Sequence, residues 1–155
     1  RLGDARELLA RLAGSVKPDN PTDQSVRGLL AAELALAQGA PEAALEAIRG
    51  DIDPSFAVWR SALTGRILLE RGALDSALAA TAEFARGMSF GGDTQADWVM
   101  APLQVARIAE ALGDSATARA ALQTLLDRWK DGDPDLRMVR EVRVHLDRLR
   151  REAGR

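Results

Sequence analysis

A short turn centred on glycine recurs along this chain of 155 residues, and it limits the possible folds more than any other feature. The turn occurs at Gly39, Gly72 and Gly113, so successive copies are 33 and 41 residues apart. Each glycine follows an apolar run with helical spacing, and a glycine at the end of a helix can adopt the left-handed conformation that terminates it. Repetition at this period indicates helical hairpins arranged in an array.

Small residues stand at fixed distances on both sides of each glycine. The positions seven residues before and five residues after are occupied by Ala32 and Ala44, by Gly65 and Ala77, and by Ala106 and Ala118. Because small side chains let two antiparallel helices approach closely, these residues are predicted to lie where paired helices touch. A degenerate copy of the turn begins at Gly3, with Leu8 in the place of the second small residue.

Composition supports a wholly helical fold. Ala, Leu, Arg, Glu and Lys make up about half of the chain, as they do in long amphipathic helices. Val, Ile and Thr, which favour strands, are few. We therefore expect an all-α protein. Apolar residues at spacings of three and four predict helices at about 3–15, 23–38, 41–49, 54–71, 73–86, 98–112, 115–130 and 134–152.

Prolines mark several of these helices. Asp53 precedes Pro54 and Asp133 precedes Pro134, which is the pattern of an N-cap carboxylate followed by a proline in the first helical position. Pro102 lies near the predicted start of the sixth helix, so it either opens that helix or kinks it.

The turn glycines with their small residues resemble the tetratricopeptide repeat family, whose unit is a helix pair of about 34 residues. The resemblance implies a right-handed superhelical array of antiparallel helix pairs, a TPR-like α-solenoid. We expect one domain spanning residues 1–155. Its expected parts are a half repeat at 1–16, repeats at about 23–50, 54–86 and 98–130, and a C-terminal capping helix at 134–152.

The segment from Leu125 to Leu136, LLDRWKDGDPDL, is similar to the closing stretch of repeat regions at the C-termini of large bacterial signalling proteins. These include serine/threonine kinases and winged-helix regulators. The resemblance implies an accessory, non-catalytic protein-interaction scaffold in the cytoplasm. Because the chain begins with Arg1, we expect it to be a piece of a longer protein. The alternative is a sensory module that binds a peptide or small molecule in its concave groove, under a cap formed by Met88 and Phe90.

Few residues are suited to catalysis or metal binding. The chain has one histidine, His145, and no cysteine, which excludes a multi-histidine metal site and a thiolate zinc site. No carboxylate pair or nucleophile motif is singled out by its spacing, so we expect neither an enzyme nor a cofactor. His145 is predicted to be a boundary residue of the final helix, half packed and half solvated.

The charge distribution argues against nucleic acids and membranes as partners. The formal net charge is −2, whereas nucleic-acid-binding proteins are usually basic. No uncharged run is long enough to span a bilayer. The arginines of the final helix are predicted to form the solvated face of an array cap, with contact to phosphates or an anionic surface as the alternative. The opposite, apolar face of that helix carries Leu136, Val139, Val142, Leu146 and Leu149.

The resemblance also implies where a partner binds, because the first helix of each pair lines the concave face of a TPR array. Its ligand-contacting positions, aligned through the turn glycines, are Val26, Leu29 and Glu33; Trp59, Ala62 and Arg66; and Met100, Leu103 and Arg107. From this set we expect Glu33, Trp59, Arg66, Met100 and Arg107 to contact a protein or peptide. Trp59 and Met100 offer apolar contact, and the two arginines favour acidic side chains.

The same residues have a second interpretation. Trp59 belongs to the core in this reading, and the two arginines pair within the groove with Glu33, Glu70 or Glu110.

The N-terminal helix carries more apolar residues than one neighbouring helix covers. Leaving two leucines in water costs on the order of several kcal/mol. We therefore expect that an upstream helix covers this face, or that two copies associate weakly through it. The apolar residues are Leu2, Ala5, Leu8, Leu9, Leu12 and Val16.

Overall fold

The computed structural model describes residues 2–17, 19–87, 95–133 and 135–153, and all regular structure in these ranges is helical. The prediction of an all-α protein is therefore confirmed. A short 3-10 turn at Pro54–Phe56 leads into the fourth helix. The helices are α1 (Leu2–Ser15), α2 (Pro21–Ala37), α3 (Pro41–Ala47), α4 (Ala57–Glu70), α5 (Leu74–Arg86), α6 (Gln95–Ala111), α7 (Ser115–Arg128) and α8 (Arg137–Ala153).

The three predicted turns have one geometry. Gly39, Gly72 and Gly113 have φ values of 70°, 71° and 77°, which a residue with a Cβ adopts only under strain. In each turn the glycine N–H donates to the carbonyl three residues earlier, and the next N–H donates to the carbonyl five residues earlier. This is the Schellman arrangement, which satisfies the last carbonyls of a helix. It ends α2, α4 and α6.

The chain forms two compact units, residues 1–80 and 81–155. In the first unit α2 packs against α1, α3 and α4. The small residues predicted at the helix contacts, Ala32, Ala44 and Gly65, are all buried. The core of this unit consists of Leu29, Ala32, Ala44, Ile48, Leu63 and Ile67.

Helices α2 and α3 approach so closely that one position requires glycine. A Cβ at Gly28 would lie 2.8 Å from the Ala47 carbonyl oxygen, well inside van der Waals contact. The backbone at this site therefore leaves no room for a side chain.

Asn20 sets the start of α2. Its side-chain oxygen accepts hydrogen bonds from the N–H groups of Thr22 and Asp23, at 3.0 and 3.3 Å. Pro21 then takes the first helical position, where its missing N–H costs nothing. The helix consequently begins two residues before the predicted start at residue 23.

Asp53 joins the beginning of α2 to the turn that leads into α4. Its carboxylate accepts hydrogen bonds from the N–H and hydroxyl of Ser55, at 2.9 and 2.7 Å, and from the hydroxyl of Thr22 at 2.8 Å. The Asp53 N–H donates to the Ser25 hydroxyl at 2.8 Å. The bonds from Ser55 and then from Thr22 lower the pKa of Asp53. Asp53 is therefore an N-cap as predicted, but of the 3-10 turn at Pro54–Phe56. Helix α4 itself begins at Ala57 and not at residue 54.

In the second unit α7 packs against both α6 and α8. The predicted contact residues Ala106 and Ala118 are fully buried. Asp114 caps α7 by accepting a hydrogen bond from the Thr117 N–H at 3.0 Å. The core residues of this unit include Val105, Ile108, Leu122, Leu125, Val139, Val142, Leu146 and Leu149.

The last helix begins later than predicted, at Arg137 instead of residue 134. The Asp133 side chain accepts from the Asp135 N–H at 2.8 Å, and its carbonyl accepts from the Leu136 N–H at 3.3 Å. These bonds form a turn instead of the first turn of α8. Leu136 therefore lies outside the helix and is 39% exposed, although we predicted it in the buried stripe. Pro134 itself lies outside the described residues.

Helix α6 begins at Gln95, so Pro102 lies inside the helix and does not open it. Proline has no N–H, which leaves the carbonyl four residues earlier, that of Trp98, without its helical donor. Arg128 of α7 supplies a donor from Nη1 at 2.7 Å. Its Nη2 donates to the Ala85 carbonyl near the end of α5, and its guanidinium lies 4.1 Å from the centre of the Trp98 ring. Burial lowers the pKa of Arg128.

Candidate interaction surface

Two of the predicted partner-binding residues lie next to each other in the first unit. Arg66 Nη1 on α4 contacts Glu33 Oε1 on α2 at 2.8 Å, and the side chains are 46% and 31% exposed. Glu33 lies six residues before Gly39 and Arg66 lies six residues before Gly72, so the two residues occupy equivalent positions relative to successive turns. Arg66 therefore has the acidic neighbour that our second interpretation assigned to it. A guanidinium has five N–H donors, so this pair leaves donors for another carboxylate.

Trp59 lies at the edge of the core of the first unit. It is half-buried and packs against that core, and its ring centre is 6.4 Å from that of Phe56. Leu29, which the resemblance placed among the ligand-contacting positions, is completely buried in the core. Trp59 therefore keeps a partly accessible edge, whereas Leu29 offers none.

The other two predicted residues lie on α6 in the second unit. Met100 is half-buried and Arg107 is exposed. Because they are seven residues apart on one helix, they share a face.

An open apolar groove runs between α1 and α2. Its volume is about 450 Å³. Leu8, Leu2 and Leu30 are 61%, 45% and 36% exposed, so the predicted excess of apolar surface on α1 is confirmed. The lining consists of Leu2, Ala5, Leu8, Leu9, Leu12, Leu30, Glu33, Leu34 and Ala37.

The sequence pattern predicted the α1 wall of this groove, whereas the α2 wall was not predicted. Leu30, Leu34 and Ala37 follow one another at spacings of four and three, which is a signal for one apolar face. That face differs from the core face of α2, which includes Leu29 and Ala32. A helix with two apolar faces indicates packing on two sides, and here the second side is only partly covered.

A smaller cavity of about 210 Å³ lies in the second unit. Its lining was not predicted from the sequence and consists of Ala82, Ala85, Arg86, Pro102, Val105, Thr117, Ala120, Ala121 and Thr124.

Glu110 connects α6 to α8. Its Oε1 lies 2.5 Å from His145 Nε2, and its Oε2 lies 2.8 Å from Arg148 Nη2. Both Oε1 and Nε2 are inaccessible to solvent, and neither has a hydrogen-bond partner elsewhere in the described residues. Hydrogen bonds to Glu110 and then to Glu152 raise the pKa of Arg148. The predicted boundary position of His145, whose side chain is one quarter exposed, is confirmed.

Several arginines of α8 contact side chains of the chain itself. Arg137 pairs with Glu141 at 2.7 Å, and Arg150 contacts Gln123 at 3.1 Å and Asp147 at 3.6 Å. Because these side chains are largely exposed, each pair contributes little to stability.

Within the part of the chain that the structure describes, no three histidine, aspartate or glutamate side chains come together as a metal site requires. In the same residues, none of the helices combines the length and the hydrophobicity needed to cross a bilayer. Comparison with known protein families, with curated proteins and with solved structures finds no match for this chain.

Proposed function

We propose that this chain is a non-catalytic protein-interaction scaffold, an accessory repeat region of a cytoplasmic bacterial signalling protein. One observation carries the proposal: the same Schellman turn ends α2, α4 and α6, with buried small residues at the same distances on either side. Repeat arrays of helix pairs form extended surfaces that bind other proteins. The proposed architecture is a TPR-like right-handed superhelix of antiparallel helix pairs.

The packing in the first unit supports this architecture. In such an array, the first helix of one pair contacts its own partner helix and the first helix of the next pair. Helix α2 contacts α3 and α4 in this way, and the Glu33–Arg66 pair joins equivalent positions of α2 and α4.

The proposed partner is a protein or peptide with acidic side chains, and its contacts are Glu33, Trp59, Arg66, Met100 and Arg107. Arg66 already holds one carboxylate at 2.8 Å, so its guanidinium is oriented for this chemistry. Glu33 has a defined role in the proposal: it competes with the carboxylates of the partner and so favours partners that carry several of them.

The test uses two flexible peptides of one length, with leucines at the same positions and either glutamates or lysines between them. Each is titrated into the ¹⁵N-labelled chain, and amide shifts are followed by NMR. We expect the acidic peptide to perturb amides of α2, α4 and α6, and the basic peptide to leave them unchanged.

The variant Arg66→Glu/Arg107→Glu supplies the discriminating measurement. The matched control is Arg49→Glu/Arg140→Glu, which changes net charge equally at exposed arginines of the two units. We expect the first variant to weaken binding of the acidic peptide at least tenfold, that is, by about 1.4 kcal/mol, and the control to bind as the original chain does. Equal binding by both variants would contradict the proposal.

The second candidate is a sensory module that binds a peptide or a small molecule. The groove between α1 and α2 is within the range of about 300–1,000 Å³ that is common for ligand pockets. The cap we expected from Met88 and Phe90 lies outside the described residues.

A further inference from the structure

The outer side of α1 carries a short line of exposed residues beside the groove. Asp4, Leu8, Arg11 and Ser15 are spaced by four and three residues, so they follow one another along one face of the helix. All four are exposed, and Leu8 is the most exposed of the leucines that line the groove. An apolar residue thus lies between an acid on its N-terminal side and a base on its C-terminal side.

This pattern is complementary to itself. When two copies of one helix pair antiparallel about a two-fold axis, a residue before the axis meets a residue equally far beyond it. Asp4 and Arg11 are equally distant from the midpoint between residues 7 and 8, about 5 Å to either side along the helix. With the axis there, Asp4 of each copy faces Arg11 of the other, and the two Leu8 side chains lie together.

We propose that a second copy of this chain occupies the groove, with the two α1 helices antiparallel about an axis beside Leu8. Each Leu8 then covers part of the groove of the other copy, and water is removed from Leu2 and Leu30. The two proposals share one residue, because Glu33 lines the groove and is also a proposed partner contact. The residues that meet at the two-fold axis lie on α1, so variants of α1 test this proposal separately from the function proposed above.

The geometry of the groove favours a second copy over a small molecule. Pockets for small ligands bury at least about 70% of the ligand surface. This groove is open on the side of Leu8, whose side chain is mostly in water, so a small ligand there would keep more of its surface exposed. An interface formed mainly by one helix from each copy buries less than the roughly 1,600 Å² of surface that a standard protein–protein interface buries. The dimer is therefore weak and dissociates on dilution.

The first measurement is sedimentation equilibrium of the 155-residue chain from micromolar to roughly millimolar concentration, at low salt. We expect a reversible monomer–dimer equilibrium that weakens as salt increases. Leu8→Glu should raise the dissociation constant at least tenfold, because two like charges meet at the axis. Arg6→Gln, on the opposite side of α1, changes the net charge by the same one unit, so it is the matched control and should leave the constant within twofold. Circular dichroism checks that both variants keep their helices.

Charge exchange tests the antiparallel register. Asp4→Arg and Arg11→Asp should each weaken self-association, because like charges then face each other across the axis. An equimolar mixture of these two variants should associate at least as strongly as the original chain, since every arginine again faces an aspartate. The double variant Asp4→Arg/Arg11→Asp should recover self-association.

Three results would overturn the proposal. The first is a monomer at every concentration with helicity intact, which would assign the groove to a preceding segment of a longer protein or to an apolar molecule. The second is a dimer that Leu8→Glu leaves unchanged. The third is equal association of the original chain and both single charge variants, which would exclude this register.

Discussion

Arg128 supplies the hydrogen-bond donor that Pro102 lacks: its guanidinium binds the Trp98 carbonyl that a proline four residues later leaves free. The same side chain binds the Ala85 carbonyl and covers the Trp98 ring. A proline inside a helix is therefore accommodated by a side chain from the next helix.

Replacing Arg128 with methionine should destabilise the chain by about 2 kcal/mol, because two carbonyls lose a charged donor. Adding Pro102→Ala to that variant restores a backbone donor for Trp98. The unfolding free energy lost in the double variant should therefore be about 1 kcal/mol smaller than the sum of the losses in the two single variants. Urea unfolding of the four chains measures this coupling. Strict additivity would show that Arg128 and Pro102 act independently.

Gly28→Ala should destabilise the first unit by about 1–3 kcal/mol, because the new Cβ meets the Ala47 carbonyl oxygen. The higher helix propensity of alanine, worth up to about 1 kcal/mol, opposes this effect and does not cancel it. Gly14→Ala is the control, since no atom lies within 4 Å of a Cβ there. Thermal unfolding should show a lower midpoint for Gly28→Ala and an unchanged or higher midpoint for Gly14→Ala.

The stability of the first unit should depend on pH through Asp53. Its pKa is lowered in the folded chain from the ordinary value of 3.8, so the stabilisation from its hydrogen bonds is complete above that value. It is lost as the pH falls through the lower, folded pKa. The free-energy difference between the original chain and Asp53→Asn should thus be largest at neutral pH and shrink in acid. Thr22→Val removes one of the three donors and should reduce this pH dependence; an identical profile would contradict the assignment.

Glu110→Ala should loosen α8, because His145 and Arg148 both lose their partner on α6. Because solvent screens the partly exposed contacts at this site, we expect a modest loss of stability that is confined to the packing of α8. Amide hydrogen exchange should accelerate in α8 more than in α2. Glu152→Ala, which removes only the exposed contact to Arg148, should have little effect. Equal exchange in the two variants would show that the contact of Glu110 with α8 is unimportant.

Local features of the fold could be predicted from sequence because their causes are local. The left-handed glycines at 39, 72 and 113 and the buried Ala44, Ala77 and Ala118 follow from one repeated pattern. The starts of α2 and α8 were less predictable, because the cap at Asn20 and the turn at Asp133 shift them by a few residues.

The long-range features of the candidate sites were harder to predict. Arg128 binds backbone carbonyls 30 and 43 residues away. Because every residue has a backbone carbonyl, the amino-acid sequence does not indicate which carbonyls Arg128 binds. The Glu33–Arg66 contact was only one of several possible pairings, because arginine side chains are long and reach many acids. The second apolar face of α2 had a clear spacing signal, and the stronger signal of its core face obscured it.

The hydrogen bonds from Arg128 to the carbonyls of Ala85 and Trp98 affect how well the chain tolerates insertions between α5 and α6. One side chain binds both the last turn of α5 and the first turn of α6. These contacts do not depend on the sequence that joins the two helices. The entropic free-energy cost of closing a longer connection rises only with the logarithm of its length, by about 0.6 kcal/mol for each doubling. Insertions between Arg86 and Gln95, where α5 ends and α6 begins, should therefore cost little stability while Arg128 is present. This segment is the place where a related chain could lengthen, or where a reporter peptide could be inserted, without unfolding the two helices.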